Sequence, residues 1–217
     1  VSYREGVLSE GKSEYTHSVE LAGKKQFGNC TLSVQADQSI NGVEFFSHIN
    51  KKCLPKEFME AIGEGVLEAA PGGIIAGYPL TNIKIFLDDA KFVEEEASEV
   101  AYKIAAAHCV REACSKARVA ILEPIMHLEI VTPLDFTGDV ISDINGKRGR
   151  VINITSKGGK EIVEAEAPLA ELFGYSTALR SRTQGRGSFS MSFVRYAPLQ
   201  SELEKKFFEE RGISLNF

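Results

Sequence analysis

Met126-His127-Leu128-Glu129-Ile130 alternates apolar and polar side chains, and Thr132-Pro133-Leu134-Asp135 follows it at once. The alternation is that of a half-buried strand. A hydroxyl at Thr132, Pro133 at the first helical position and an acid at Asp135 predict a helix start, with Gly146 placed to end it. Residues 149–156 and 160–167 read as two strands around the turn Lys157-Gly158-Gly159. A second helix is expected near Ala170–Arg182. In the last strand Phe189, Met191 and Phe193 alternate with Ser188, Ser190 and Ser192. The order βαββαβ predicts a ferredoxin-like sandwich. Beyond Pro198, Ser201 and Glu204 have the spacing of a capping box, and Gly212 closes the short helix they open.

Upstream, segments 16–21, 29–36 and 41–47 read as strands, with Gly28-Asn29 and Asn41-Gly42 as turn signals. Pro55–Ala70 has helical spacing, with Phe58, Ile62 and Val66 on one stripe and Pro71-Gly72-Gly73 as its stop. Ile83–Leu87 reads as a strand. Ala97–Ala117 is a long Ala-rich helix whose Val100, Ile104, Ala107, Val110 and Cys114 predict central burial. The fold class is α+β, in two domains joined near Arg118–Glu123.

A chain of 217 residues with a 43% apolar share can fill one large core or two modest ones and is too apolar to be disordered. Its apolar runs fall short of the roughly 18 residues of a membrane span, and nothing marks it for secretion, so a cytoplasmic protein is expected. Cys30, Cys53, Cys109 and Cys114 lack CxxC spacing and read as reduced thiols. Val1 stands where an initiator Met would, so a piece of a longer protein is expected.

The net charge of −5 hides an asymmetry: from Lys147 to Arg195 nine bases face four acids. Such a segment suits nucleic acid, or is an ordinary solvated face. Gly6-Val7-Leu8-Ser9-Glu10-Gly11-Lys12-Ser13 fits the phosphate-loop pattern, but a polar lead-in precedes it and a strand-like segment follows, where a buried strand and a helix are needed. His17, His48, His108 and His127 are scattered, and Glu94-Glu95-Glu96 splay from consecutive positions. No catalytic set and no metal site can be composed from these residues. The outward positions of the sandwich sheet, His127, Glu129 and the three serines, offer no bases a platform for stacking. The cations gather instead at strand and helix ends, in Lys147-Arg148-Gly149-Arg150 and in Arg180-Ser181-Arg182-Thr183-Gln184-Gly185-Arg186-Gly187. Those corners suit phosphate clamping of a folded RNA, the plainer alternative being a glycine turn that starts the last strand.

Ile121-Leu122-Glu123-Pro124-Ile125-Met126, Gly138-Asp139-Val140, Lys147-Arg148-Gly149, Ala167–Tyr175 and Leu179–Ser188 resemble domain V of bacterial-type translation elongation factor G. Ala76-Gly77-Tyr78-Pro79-Leu80 and Ser98–Ala105 resemble its domain IV. The resemblance implies residues 1–120 as a ribosomal-S5-like βαβ domain with a left-handed crossover, 121–198 as domain V, and 199–217 as a C-terminal helix and tail packing back on the first domain. It implies a monomeric ribosome-binding chain without its own cofactor, GTP and Mg belonging to a domain ahead of Val1. Arg180, Ser181, Gln184, Arg186 and Arg148 would contact the sarcin-ricin loop of the large-subunit (23S-type) rRNA. A tip carrying Gly23, Lys24, Lys25, Gln26 and Val93 would reach tRNA and mRNA in the decoding region. The family's tip loop GGRGQYGH is here Ala22-Gly23-Lys24-Lys25-Gln26-Phe27-Gly28-Asn29, and its tip histidine falls on Val93, followed by three glutamates. The resemblance implies a factor promoting tRNA and mRNA translocation, and that departure keeps open the alternative of a divergent paralogue acting in ribosome recycling or tetracycline-type ribosome protection.

Overall fold

The computed structural model of the protein describes residues 1–214, which form two compact units. One holds Tyr3–Leu122 and the segment from Pro198; the other holds Glu123–Ala197 with the first two residues.

The first unit runs β1 (Arg4–Val7), β2 (Gly11–Leu21), β3 (Lys24–Ala36), β4 (Val43–Ser47), α1 (Lys56–Ala69), β5 (Ile83–Asp89) and α2 (Glu99–Lys116). Its sheet has the order β2-β3-β5-β4, with β4 parallel to β5 and the other pairs antiparallel. Leu32, Val34, Ile83 and Ile85 point from the sheet into a core shared with Ile62 and Val66 of α1 and with Tyr102 and Cys109 of α2. Helix α2 buries a face of mostly small residues, among them Ala101, Ala105, Ala106 and Ala113. Val100, expected on the buried face, is instead 60% exposed, because the seat of the helix begins one residue later at Ala101. The turn expected at Gly28-Asn29 is also corrected. Both residues lie inside β3, paired with His17 and Thr16, and the hairpin turn is Ala22-Gly23, with φ of 52° and 76°. Two successive left-handed residues match the twist of an antiparallel pair.

The second unit runs β6 (Val119–Pro133), α3 (Thr137–Gly146), β7 (Arg150–Lys157), β8 (Lys160–Pro168), α4 (Tyr175–Arg182) and β9 (Ser188–Pro198); only the first residues of β6 belong to the other unit, where they pair with β1. The strand order β9-β6-β8-β7 is that of the ferredoxin-like sandwich. Leu128, Ile130, Val163 and Ala165 on the sheet pack against Val140, Ile144, Tyr175 and Leu179 on the helices. The Gly158-Gly159 hairpin forms as expected, both glycines having positive φ.

Two boundaries and one burial pattern differ from expectation. Thr132 caps no helix: Thr132 and Pro133 stay in β6, paired with Glu161 and Lys160, and a 3-10 turn, Leu134–Phe136, delays α3 to Thr137. Ladder pairing there outcompetes the cap. The helix expected from Ala170 is split by Gly174, whose φ of 75° separates a 3-10 turn from α4. In β9 Phe189 packs edge-on against Tyr175 at 4.8 Å, but Met191 is exposed and Phe193 is 55% exposed.

Helix α5 (Ser201–Glu210) packs within the first unit, as expected. Phe207 and Phe208 cluster with Ile121, Tyr3 and Tyr78, and Arg211 lies 3.6 Å from the Phe207 ring centre. The capping box does not form, because the Glu204 carboxylate accepts the Ile121 N–H at 3.1 Å. Gly212, with φ 64°, ends the helix; the tail residues 215–217 lie outside the described residues.

Candidate nucleic-acid interface

The end of α4 is closed by side-chain as well as backbone bonds. Thr183 is fully buried, donates its hydroxyl to the Leu179 carbonyl at 2.7 Å and accepts the Gly187 N–H at 2.8 Å. Between these anchors Gln184 and Gly185 take φ of 52° and 77°, and Gly185 N–H reaches the Arg180 carbonyl at 2.8 Å. The resulting turn exposes Arg180, Ser181, Gln184 and Arg186 together. Arg186 lies over the Phe136 ring at 5.2 Å. A shallow cleft of about 140 Å³ opens beside Arg180, floored by Gly187, Ser188 and Phe189.

The nine bases of this region fall into two groups. Lys147 and Arg182 share Asp143, at 3.8 and 3.3 Å, and Arg150 and Arg195 share Glu166, at 3.3 and 2.9 Å. Arg148 is held by Glu123 at 2.7 and 3.2 Å and by Glu171 at 3.0 Å. Among the described residues Arg180, Arg186, Lys157 and Lys160 make no ion pair, so the free cations sit on the α4 turn and the β7–β8 hairpin. Arg148, expected from the resemblance to contact RNA, has its guanidinium committed to two carboxylates within its own unit, and its φ of 56° fixes the backbone there. The hydrogen bonds it donates to Glu123 push its pKa further up. Glu123 is 4% exposed, so removing the arginine strands a buried carboxylate. Arg148→Met should therefore lower stability by about 3 kcal/mol, read from urea unfolding.

Glu166 gives this unit a pH dependence. Its hydrogen bond from Arg195 holds the carboxyl below its ordinary value of 4.5, with Arg150 adding to the effect. A depressed native value means stabilisation that is complete above pH 4.5 and fades as pH falls through the native pKa. Glu166→Gln should lose about 1 kcal/mol at pH 7, and the loss should shrink as pH falls below 4.5, measured by unfolding across that range.

The second candidate site is the far end of the β2–β3 hairpin. Lys24, Lys25 and Gln26 are not loop residues but the first residues of β3; Gly23 alone of the expected set is in the turn. Residues 91–97 are tied beside them. Phe27 N–H reaches the Glu96 carbonyl at 2.8 Å, Ser98 N–H the Phe27 carbonyl at 3.2 Å, and Lys91 N–H the Asn29 side chain at 2.9 Å. Asn29 is fully buried and also donates to Thr16, while Tyr102 donates its hydroxyl to the Lys91 carbonyl at 2.5 Å. Lys25 pairs with Glu96 at 3.8 Å, and Val93 closes a turn by accepting from Glu96 and Ala97. The structure thus brings Lys24, Lys25, Gln26, Glu95 and Glu96 to one cleft of about 550 Å³, which Val93 does not line.

The phosphate-loop lookalike spans β1, a turn and β2, so no helix N-terminus faces it; Lys12 lies 3.5 Å from Asp88, and Gly11 packs beneath the Ala113 carbonyl. Among the described residues no three His, Cys, Asp or Glu side chains converge on a metal position, and no helix is long and apolar enough to cross a membrane. Burial pushes the Cys114 thiol up to about 12, with the nearby Glu5 carboxylate adding. The anchors Thr183, Asn29 and Phe136 were not distinguished by their sequence. Each works through partners that only the fold assembles.

Two family models match the chain: elongation factor G, domain IV, over residues 1–118, and the elongation factor G C-terminus over residues 120–207. A crystal structure of a protein from Thermus thermophilus is similar with a TM-score of 0.85 and 31% identity, covering 98% of this chain and 32% of that one. The chain thus spans about a third of that protein's length. A hairpin-tipped α+β domain followed by a ferredoxin-like sandwich with these matches is the domain IV and V region of a translation factor. The chain belongs to the elongation factor G family.

Proposed function

We propose that this chain is the ribosome-engaging end of an elongation-factor-G-like GTPase, working in the cytoplasm. Its second unit grips the sarcin-ricin loop of the large-subunit rRNA through Arg180, Ser181, Gln184 and Arg186, and the hairpin tip with Lys24, Lys25 and Gln26 reaches tRNA and mRNA in the decoding region. GTP hydrolysis belongs to domains outside this chain and biases the conformation in which the arm is presented. The observation that carries the reading is the pair Arg180 and Arg186, exposed on one turn without an acid partner among the described residues while five neighbouring cations are paired with four carboxylates. Free guanidinium groups beside a tight turn suit the phosphates of a folded RNA, where contacts read shape rather than sequence.

Titrating the chain with a sarcin-ricin stem-loop RNA over a range of salt tests this. Arg180→Ala should weaken binding about tenfold and flatten the plot of log K against log salt by about one unit. An unchanged slope overturns the rRNA assignment. The tip supports a second reading of the step served. With Glu95 and Glu96 lining the same cleft as Lys25, and Lys25 itself paired to Glu96, the tip is poorly suited to an RNA backbone. That favours a divergent paralogue acting in recycling or in tetracycline-type ribosome protection. Release of the drug from ribosomes, subunit splitting and translocation by the full-length protein separate the three.

A further inference from the structure

We infer that Thr183 is a positioning residue for RNA binding, the group that holds Arg180 and Arg186 at a fixed spacing although it touches no ligand itself; this rests on the RNA reading above. Its hydroxyl is used twice, donating to Leu179 one helical turn behind and accepting from Gly187 four residues ahead. The three residues it spans, Gln184, Gly185 and Arg186, are therefore pinned at both ends. Gln184, a non-glycine residue at φ 52°, is held in a conformation it rarely adopts. Gly187 has room for no side chain, because a Cβ there would lie 2.7 Å from the Thr183 hydroxyl and 2.9 Å from its methyl.

The consequence is preorganisation. Neither arginine has an acid among the described residues to fix it, so the turn must set the distance between the two backbones from which they project. Arg186 is further steadied over Phe136. Ordering these long side chains and their turn at the moment of binding would cost affinity, and a turn already locked avoids part of that loss. A valine at 183 keeps the volume and shape of threonine but leaves the Gly187 N–H without its acceptor. The turn then loosens while the charges stay the same.

The test uses the 217-residue chain and a sarcin-ricin stem-loop RNA followed by fluorescence anisotropy, with melting curves on every variant. Thr183→Val should bind about tenfold more weakly, with faster hydrogen exchange at the Gly187 amide, and Thr183→Ser should restore both. On an Arg180→Ala, Arg186→Ala background the valine should have no further effect, because a residue acting through the arginines cannot add to their loss. Should Thr183→Val fail to fold, Gly187→Ala disturbs the same bond from the other side and is expected to give the same weakening. Wild-type affinity in Thr183→Val, alongside weakened Arg180→Ala, overturns the inference and leaves the RNA reading standing. Additive losses on the double-arginine background also overturn it. Unchanged binding in Arg180→Ala overturns the RNA reading, and the positioning role with it.

Discussion

Glu5→Gln is expected to destabilise the first unit by about 3 kcal/mol, and Glu5→Ala by more. Glu5 lies in β1 with no exposed surface, and its carboxylate is wrapped by the loop after α1. It accepts N–H groups from Ile74 at 2.9 Å, Ile75 at 2.7 Å, Ala76 at 3.3 Å and Tyr78 at 2.8 Å. Four donors aimed at one anion leave each of them unpaired when the anion goes. An amide can accept at only one end and would point its own N–H groups at donors. Gly73 and Gly77, at φ 63° and 79°, let the loop close, and a Cβ on Gly73 would strike the Glu5 carboxylate. Glu204 gives the comparison: it accepts one N–H, so Glu204→Gln should lose about 1 kcal/mol. Urea unfolding followed by circular dichroism measures both. Because the carboxylate is buried, about 1 M salt should leave the Glu5 effect in place. A Glu5→Gln loss below that of Glu204→Gln would show that the loop is held by other contacts.

That carboxylate marks the line between what the sequence states and what it hides. The sandwich was legible because each of its signals is local. Met126–Ile130 alternates, Gly158-Gly159 supplies both left-handed turn residues, and Phe189, Met191 and Phe193 alternate with serines. The errors came where a local signal met a distant partner. Thr132 has the chemistry of a cap, but β8 claims its backbone. Glu204 has the spacing of a capping box, but the Ile121 N–H is the better-placed donor. Arg148 sits in a basic cluster, but its ion pairs with Glu123 and Glu171, each more than twenty residues away in sequence, cannot be read from that cluster. The same holds for charge as a whole: summing bases over 147–195 gives a net positive segment, but only the ion pairs show that the unpaired positive charge, among the described residues, is concentrated at Arg180, Arg186 and the Lys157/Lys160 hairpin. The α4 turn itself was visible as a run of Arg, Gly and Gln. Its organiser, Thr183, was not, since a threonine four residues from both Leu179 and Gly187 is ordinary until the turn folds.

Gly28→Ala is the second large effect, expected to lower stability by about 3 kcal/mol and the melting temperature of the first unit by about 10 °C. A glycine beside an asparagine reads as a turn, but here it is a strand residue whose missing side chain makes room for a helix. A Cβ on Gly28 would fall inside contact distance of the backbone of Ala101 and Tyr102, the first turn of α2. Gly11 meets the Ala113 carbonyl and Ala117 in the same way near the other end of that helix, and Gly65 of α1 meets the Lys103 carbonyl. Helix α2 thus rests on glycines, and its own alanine face lets backbone approach backbone. Backbone atoms cannot rotate aside as a side chain can, so an added methyl must move the whole helix. Gly23→Ala is the control: it has open space around it and only its φ of 76° to strain, so about 1 kcal/mol is expected. The two glycines lie five residues apart on the same hairpin, and they separate strain from steric exclusion. The shift at Gly28 should also reach the tip, because Ser98, the cap of α2, is bonded to Phe27 and stands beside Gln26. Thermal melts of the two variants, with amide exchange at Phe27 and Ser98, measure both consequences. A Gly28→Ala melt no lower than that of Gly23→Ala would mean that α2 can lift from the sheet at little cost, and the close packing of helix on strand would not be what holds the arm together.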